Sequence, residues 1–183
     1  MPEFMTFSLE DLFNEYTNPA SIRETKAGPT VVTGEYTLQV QKVEGRIDED
    51  PATGSTRKKA HLQSKILVDG QPKATTFFDI SWQERRTAKG YPDRMTKLWN
   101  QAVLALYPGE TTEDQAKHSA KEVLDKIAVT PIKGFVTEAF QVPDNGQGKP
   151  GWVSQYTPEQ MTVYRDKGYE ARNFVQAIIR PRV

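Results

Sequence analysis

Few residues in this chain are of a type and spacing suited to catalysis. The two histidines, His61 and His118, lie far apart, and neither stands at metal-ligand spacing from another histidine. There is no cysteine, which removes thiolate zinc sites, iron–sulfur centres, disulfides and thiol nucleophiles together. Gly146, Gly148 and Gly151 lack the following Lys-Ser/Thr that grips phosphate and magnesium, and no nucleophile elbow is present. The acids Asp48, Glu49 and Asp50 sit in a polar stretch with Asp50-Pro51 and Thr53-Gly54, and read as a solvated turn rather than a cation site. The expectation is a protein without catalysis, metal or cofactor.

What the chain does carry is positive charge interleaved with flat rings. Its 24 basic and 24 acidic residues cancel, but not locally. Residues 57–97 hold ten basic and four acidic side chains, a net +6, while residues 1–30 and 31–56 each stand at −3. Arg57, Lys58, Lys59, Lys65, Lys73, Arg85 and Arg86 belong to the basic stretch. Further on, Lys149, Trp152, Tyr156, Tyr164, Arg165, Lys167, Tyr169 and Arg172 alternate rings with cations through a long polar segment. Single-stranded nucleic acid asks for this combination, cations for its phosphates and aromatic faces for its bases. The plainer alternatives are a solvated charged face and a loop that packs on its own aromatics.

Those residues need elements to position them. Tyr36, Leu38 and Val40 alternate with polar residues over Gly34–Val40, predicting a half-buried strand. A polar loop is expected over 44–57, followed by a strand Lys59–Val68 with His61, Gln63 and Lys65 on its polar face. Asp69-Gly70 predicts a tight hairpin into a third strand, Ala74–Trp82. If Phe78 and Ile80 face inward there, Phe77 faces outward beside Lys65; with the parity reversed, Phe78 and Trp82 become the exposed pair. Met95, Leu98, Trp99, Ala102, Val103 and Leu106 then fall on one face of a helix, with Trp99 in its apolar stripe. A weaker helix is predicted over 113–126, and strands over 133–142 and 172–179. A short helix from Ser8, with Leu9, Leu12, Phe13 and Tyr16 on one face, precedes them all.

Three strands, a helical connection and two more strands match the wiring of a mainly β fold with α: a five-stranded, OB-like Greek-key barrel with a helical crossover between strands 3 and 4. The division expected is an N-terminal helical extension over 1–30 and one OB-fold domain over 31–183. Such a barrel presents strands 2 and 3, flanked by the loops joining strands 1–2 and 4–5, to an oligomeric ligand. The nucleic-acid contacts expected on it are Arg57, Lys58, Lys59, Lys65, Lys73, Arg85, Arg86, Lys149 and Arg172 for phosphates. Phe77, Trp82, Trp152, Tyr156 and Tyr164 are the candidates for bases.

The strand beginning at Gly34, the Phe77-Phe78-Asp79-Ile80 strand, the helix around Leu98-Trp99 and the strand 133–140 together resemble small phage-encoded OB-fold single-stranded DNA-binding proteins. The resemblance spans roughly residues 31–183 and lies in layout rather than in a signature motif. It implies sequence-tolerant strand binding in phage replication or recombination. The acidic C-terminal tail through which many replicative single-strand binders recruit partners is missing, since the sequence ends Arg180-Pro181-Arg182-Val183. The acidic N-terminal helix is expected to pack on its own barrel, with contact to a protein partner or to a second subunit of a homodimer as the alternative. A protein-interaction module, such as an assembly factor or host-directed inhibitor, is the rival reading. No stretch reaches the roughly 18 apolar residues of a membrane span. The first twenty residues hold four acids and no base, unlike a secretory signal. A cytoplasmic protein is expected.

Overall fold

The computed structural model describes residues 28–182; the predicted helix around Leu12, Phe13 and Tyr16 lies outside them. Among the described residues, six strands form one antiparallel sheet: β1 (Gly34–Glu49), β2 (Thr56–Val68), β3 (Gln71–Ile80), β4 (Ile132–Val142), β5 (Gly151–Val153) and β6 (Ala171–Ile179). Four helices accompany them: α1 (Arg94–Leu106), α2 (Thr112–Gln115), α3 (Ala120–Ile127) and α4 (Pro158–Asp166). The mainly β architecture with a helical connection between the third and fourth strands agrees with expectation. No described helix is long and apolar enough to cross a membrane.

Period-2 burial decides which side chains face the core. On β2, Ala60, Leu62, Ser64 and Ile66 are buried; on β3, Ala74, Thr76, Phe78 and Ile80 are. Phe77 is therefore on the opposite face, 54% exposed. Asp69 and Gly70 both adopt positive φ, 51° and 76°, as the two-residue hairpin between β2 and β3 requires. The predicted loop over 44–57 is instead largely strand. β1 and β2 stay paired out to Glu49↔Thr56, leaving only 50–55 as a turn, so a long hairpin arm replaces a flexible loop. Its side chains are polar because the far end of the arm is exposed, not because the backbone is irregular.

β4 is the hub. Its first residues pair with β1, its last three with β5, and Lys133 to Phe140 pair along β6. Gly134 leaves room for the buried Leu38 side chain at the first of these crossings, since a Cβ there would lie 2.6 Å from Leu38 Cδ1. β3 and β6 approach across the remaining gap, where Thr76 Oγ1 donates to the Asn173 carbonyl at 2.8 Å. No ladder joins them among the described residues, so the sheet is open.

α1 is capped by Asp93, whose carboxylate accepts from Thr96 N at 3.0 Å, and it buries Leu98, Trp99, Ala102, Ala105 and Leu106. The predicted helix over 113–126 is two. Ser119 and Glu122 form a capping box that starts α3 afresh, and the buried Gln115 side chain instead donates to the Tyr107 carbonyl at 2.8 Å. The long final segment contains β5 and α4, neither predicted. The α4 signal was present in Thr157-Pro158-Glu159-Gln160, a capping box with proline at the first helical position.

Candidate functional site

Phe77 is the centre of the site. Three adjoining depressions meet at its ring. The largest, about 840 Å³, runs between the edges of β3 and β6, with Lys65, Lys73, Phe77, Arg172 and Phe174 in its walls and Gly28–Thr30 along one side. A second, bordered by His61, Asp79, Arg94 and Phe174, continues past the other side of the ring. The third opens toward β1, where Lys42, Glu44, Arg46 and Gln63 surround His61. Together they form a shallow groove over the outer face of β1–β3 and the facing edge of β6.

A row of rings lies along it. His61 stacks on Phe77 with centroids 5.6 Å apart and planes within 12°. Phe174 borders two of the three depressions that meet at Phe77, and Trp152 meets Phe174 edge-on at 5.6 Å. The Arg172 guanidinium lies 5.2 Å from the Trp152 ring centre, a cation–π contact. The sheet itself sets this order. β2, β3 and β6 each contribute one ring to the groove walls, and the open seam between β3 and β6 lets two separate edges present them to one channel; Trp152 of β5 borders none of the three depressions and extends the row only through Phe174.

Cations outnumber acids along the groove: Lys42, Arg46, Lys65, Lys73, Arg94 and Arg172 against Glu44, Asp79 and Glu170. Several are braced. Lys65 Nζ donates to Thr75 Oγ1 at 2.8 Å, Arg94 to the Val175 carbonyl at 2.6 Å, and Arg172 pairs with Glu170 at 2.8 Å. The hydrogen bond from Arg46 holds the Glu44 carboxyl below the usual range, so Glu44 is anionic and offsets one cation.

Of the residues expected to bind nucleic acid, Phe77, Lys65, Lys73 and Arg172 come together here, and Trp152 stands beside them against Arg172 and Phe174 without bordering a depression. Others are placed elsewhere. Arg57 is buried: it shares the parity of His61, but the segment 83–96 folds over that end of β2. Its guanidinium donates to Asp93, to Thr96 Oγ1 at 2.9 Å and to the Gln83 carbonyl at 3.1 Å. Lys58, of opposite parity, is exposed away from the groove floor. Lys59 is half-buried, its ammonium 2.9 Å from both Asp48 and Asp79. Trp82 packs on Trp99 at 5.5 Å and against the core, which withdraws it from the base-stacking set. Arg85 donates to the Thr56 carbonyl, Arg86 pairs with Glu84, and Lys149 is exposed on the 143–150 turn; these three border none of the three depressions.

Tyr156 and Tyr164 are also withdrawn, because they are the private core of the final segment. Both pack on Phe140, at 5.3 and 5.5 Å, and Tyr164 also meets Tyr169. The Tyr156 hydroxyl donates to the Glu138 carbonyl at 3.0 Å. Glu138 is fully buried on β4, where its carboxylate accepts from Arg165 at 2.8 Å and from Thr30 Oγ1. Burial and the neighbouring Glu138 carboxylate push the Tyr156 phenol up to about 12. One buried acid thus ties residues 30, 156 and 165 to the sheet.

Phe174, Lys42, Arg46 and Arg94 were missed by sequence reading. Period-2 alternation in β6 gives Phe174 the parity opposite to buried Asn173 and Val175, which was a usable signal. Lys42 and Arg46 were obscured because their stretch read as loop or carried net negative charge. Comparison with protein-family models, with curated proteins and with solved structures finds no match to this chain.

Proposed function

We propose that this chain is a non-catalytic, sequence-tolerant binder of single-stranded DNA, and that its open sheet is an OB-type scaffold of the kind small phage-encoded single-strand binders use in replication or recombination. The observation that carries this reading is the set of rings His61, Phe77 and Phe174 lining a groove with six cations, with Trp152 edge-on to Phe174 beside it. Rings in a row are sequence-tolerant stacking surfaces, because every base has a π-face. Support for the scaffold comes from the wiring: a β1–β2–β3 meander, a helical connection, a return of β4 to β1, and β6 facing β3 across the seam.

The groove also bounds the strength of the salt effect. Each neutralised phosphate of a single strand contributes about 0.7 to the slope of log K on log salt, so six cations cap the slope near about 4. Titration of fluorescent oligo-dT at low and high salt tests the proposal. Tight binding at low salt that falls with a slope of that order supports it; absence of binding, or binding indifferent to salt, refutes it. A stable complex with a protein and no strand binding would favour the interaction-module reading, whose sequence support is the acidic segment before residue 28.

A further inference from the structure

We propose that His61 is a phosphate contact of this groove and that strand binding draws a proton onto it. The inference rests on the strand-binding reading and adds a proton to it. His61 Nδ1 lies 2.6 Å from Asp79 Oδ1, and the other Asp79 oxygen accepts from Lys59 Nζ at 2.9 Å, which in turn reaches Asp48. Burial pushes the Asp79 carboxyl up, but the hydrogen bonds from Lys59 and His61 outweigh it and hold the group below the usual carboxylate range. An anionic Asp79 makes Nδ1 the donor, which leaves Nε2 as the second ring nitrogen available to a ligand. The stack on Phe77 fixes the ring plane, and His61 borders the depressions on both sides of Phe77.

In the neutral ring Nε2 carries a lone pair and repels a phosphate oxygen; protonated, it donates a charge-assisted hydrogen bond. The charged groups facing the ring oppose one another. Asp79 on β3 and Glu44, directly across the ladder on β1, attract an imidazolium; Lys59, Lys42, Arg46 and Arg94 repel it. A phosphate entering between them breaks that opposition in favour of the protonated ring. By linkage, the strand then binds more tightly as pH falls, and binding takes up protons.

The test is calorimetric titration of the full chain with a dT oligomer of about 16 nucleotides in two buffers of different ionisation enthalpy. The same titration is repeated between about pH 8 and pH 6, the range in which histidine changes charge. The parent protein is expected to take up a fraction of a proton and gain about tenfold in affinity over that range. H61Q, neutral and of similar reach, binds more weakly at every pH because a ring of the row is gone, and loses the uptake and most of the gain, whereas H118Q, remote on the α2–α3 connection, keeps both. Nitrogen-15 NMR of the imidazoles in the unmutated protein gives an independent reading: the His61 signals move to the protonated position when the oligomer is added. Binding without proton uptake, or uptake that survives H61Q, overturns this inference and leaves the strand-binding reading standing. Failure to bind dT at any pH overturns both.

Discussion

Replacing Phe77 with leucine separates folding from recognition at the centre of the groove. Phe77 is 54% exposed, so under half of its side chain is covered by neighbours. For an aromatic of about 200 Å², that hidden part is roughly 90 Å², worth at most about 2 kcal/mol at about 25 cal/mol per Å². Leucine keeps most of this contact, and the expected cost to folding is under about 1.5 kcal/mol. The flat face is lost outright. Base stacking on an aromatic contributes about 1–3 kcal/mol, equivalent to roughly five- to 150-fold in dissociation constant. Some apolar contact with the base persists for leucine, so the expected loss is about tenfold. Fluorescence anisotropy with labelled oligo-dT at low salt, beside a thermal melt of each protein, reads both quantities. A variant that melts like the parent and binds equally well would refute the stacking role and the ring row built around it. The salt slope should stay the same, because no phosphate contact has been removed.

Other residues report on different parts of the structure. Asp93→Asn should lower stability by about 3–5 kcal/mol, because it leaves the buried Arg57 guanidinium without its anion; a denaturant melt reads the loss. Burial raises the Asp93 carboxyl, but hydrogen bonds from Arg57 and Thr96 outweigh it and bring the group down to about 2 from an ordinary 3.8. The sign follows from that depressed value. The stabilisation, about 2 kcal/mol, is complete above about pH 4 and fades as pH drops toward 2; melts of parent and variant should converge over that window. Tyr156→Phe should cost about 1–2 kcal/mol in a melt while oligo-dT affinity holds, since its hydroxyl serves Glu138 and not the groove. Trp152→Phe should abolish most of the strand-induced quenching of tryptophan fluorescence, and Trp82→Phe should leave it intact. The reverse pattern would contradict the positions of both rings.

The sequence by itself determined the alternation of β2 and β3, the Asp69-Gly70 turn between them and the apolar stripe of α1, because each is specified by neighbours within a few positions. Parity places Phe77 outward beside Lys65 once Phe78 and Ile80 face the core. The cations were a different matter. Arg57 and Lys65 look alike in sequence, yet one lies under the 83–96 segment with Asp93 and the other faces the groove. Tyr156 and Trp152 both read as loop aromatics, and only the tertiary structure ties the first to the buried Glu138 carboxylate and sets the second edge-on to Phe174. The convergence of Phe77 and Phe174 on one groove depends on β6 lying across an open seam from β3, where Thr76 reaches Asn173, nearly a hundred residues away in sequence, which no local pattern encodes. Local chemistry fixes which way a side chain points from its own strand. What it points at is set by long-range packing.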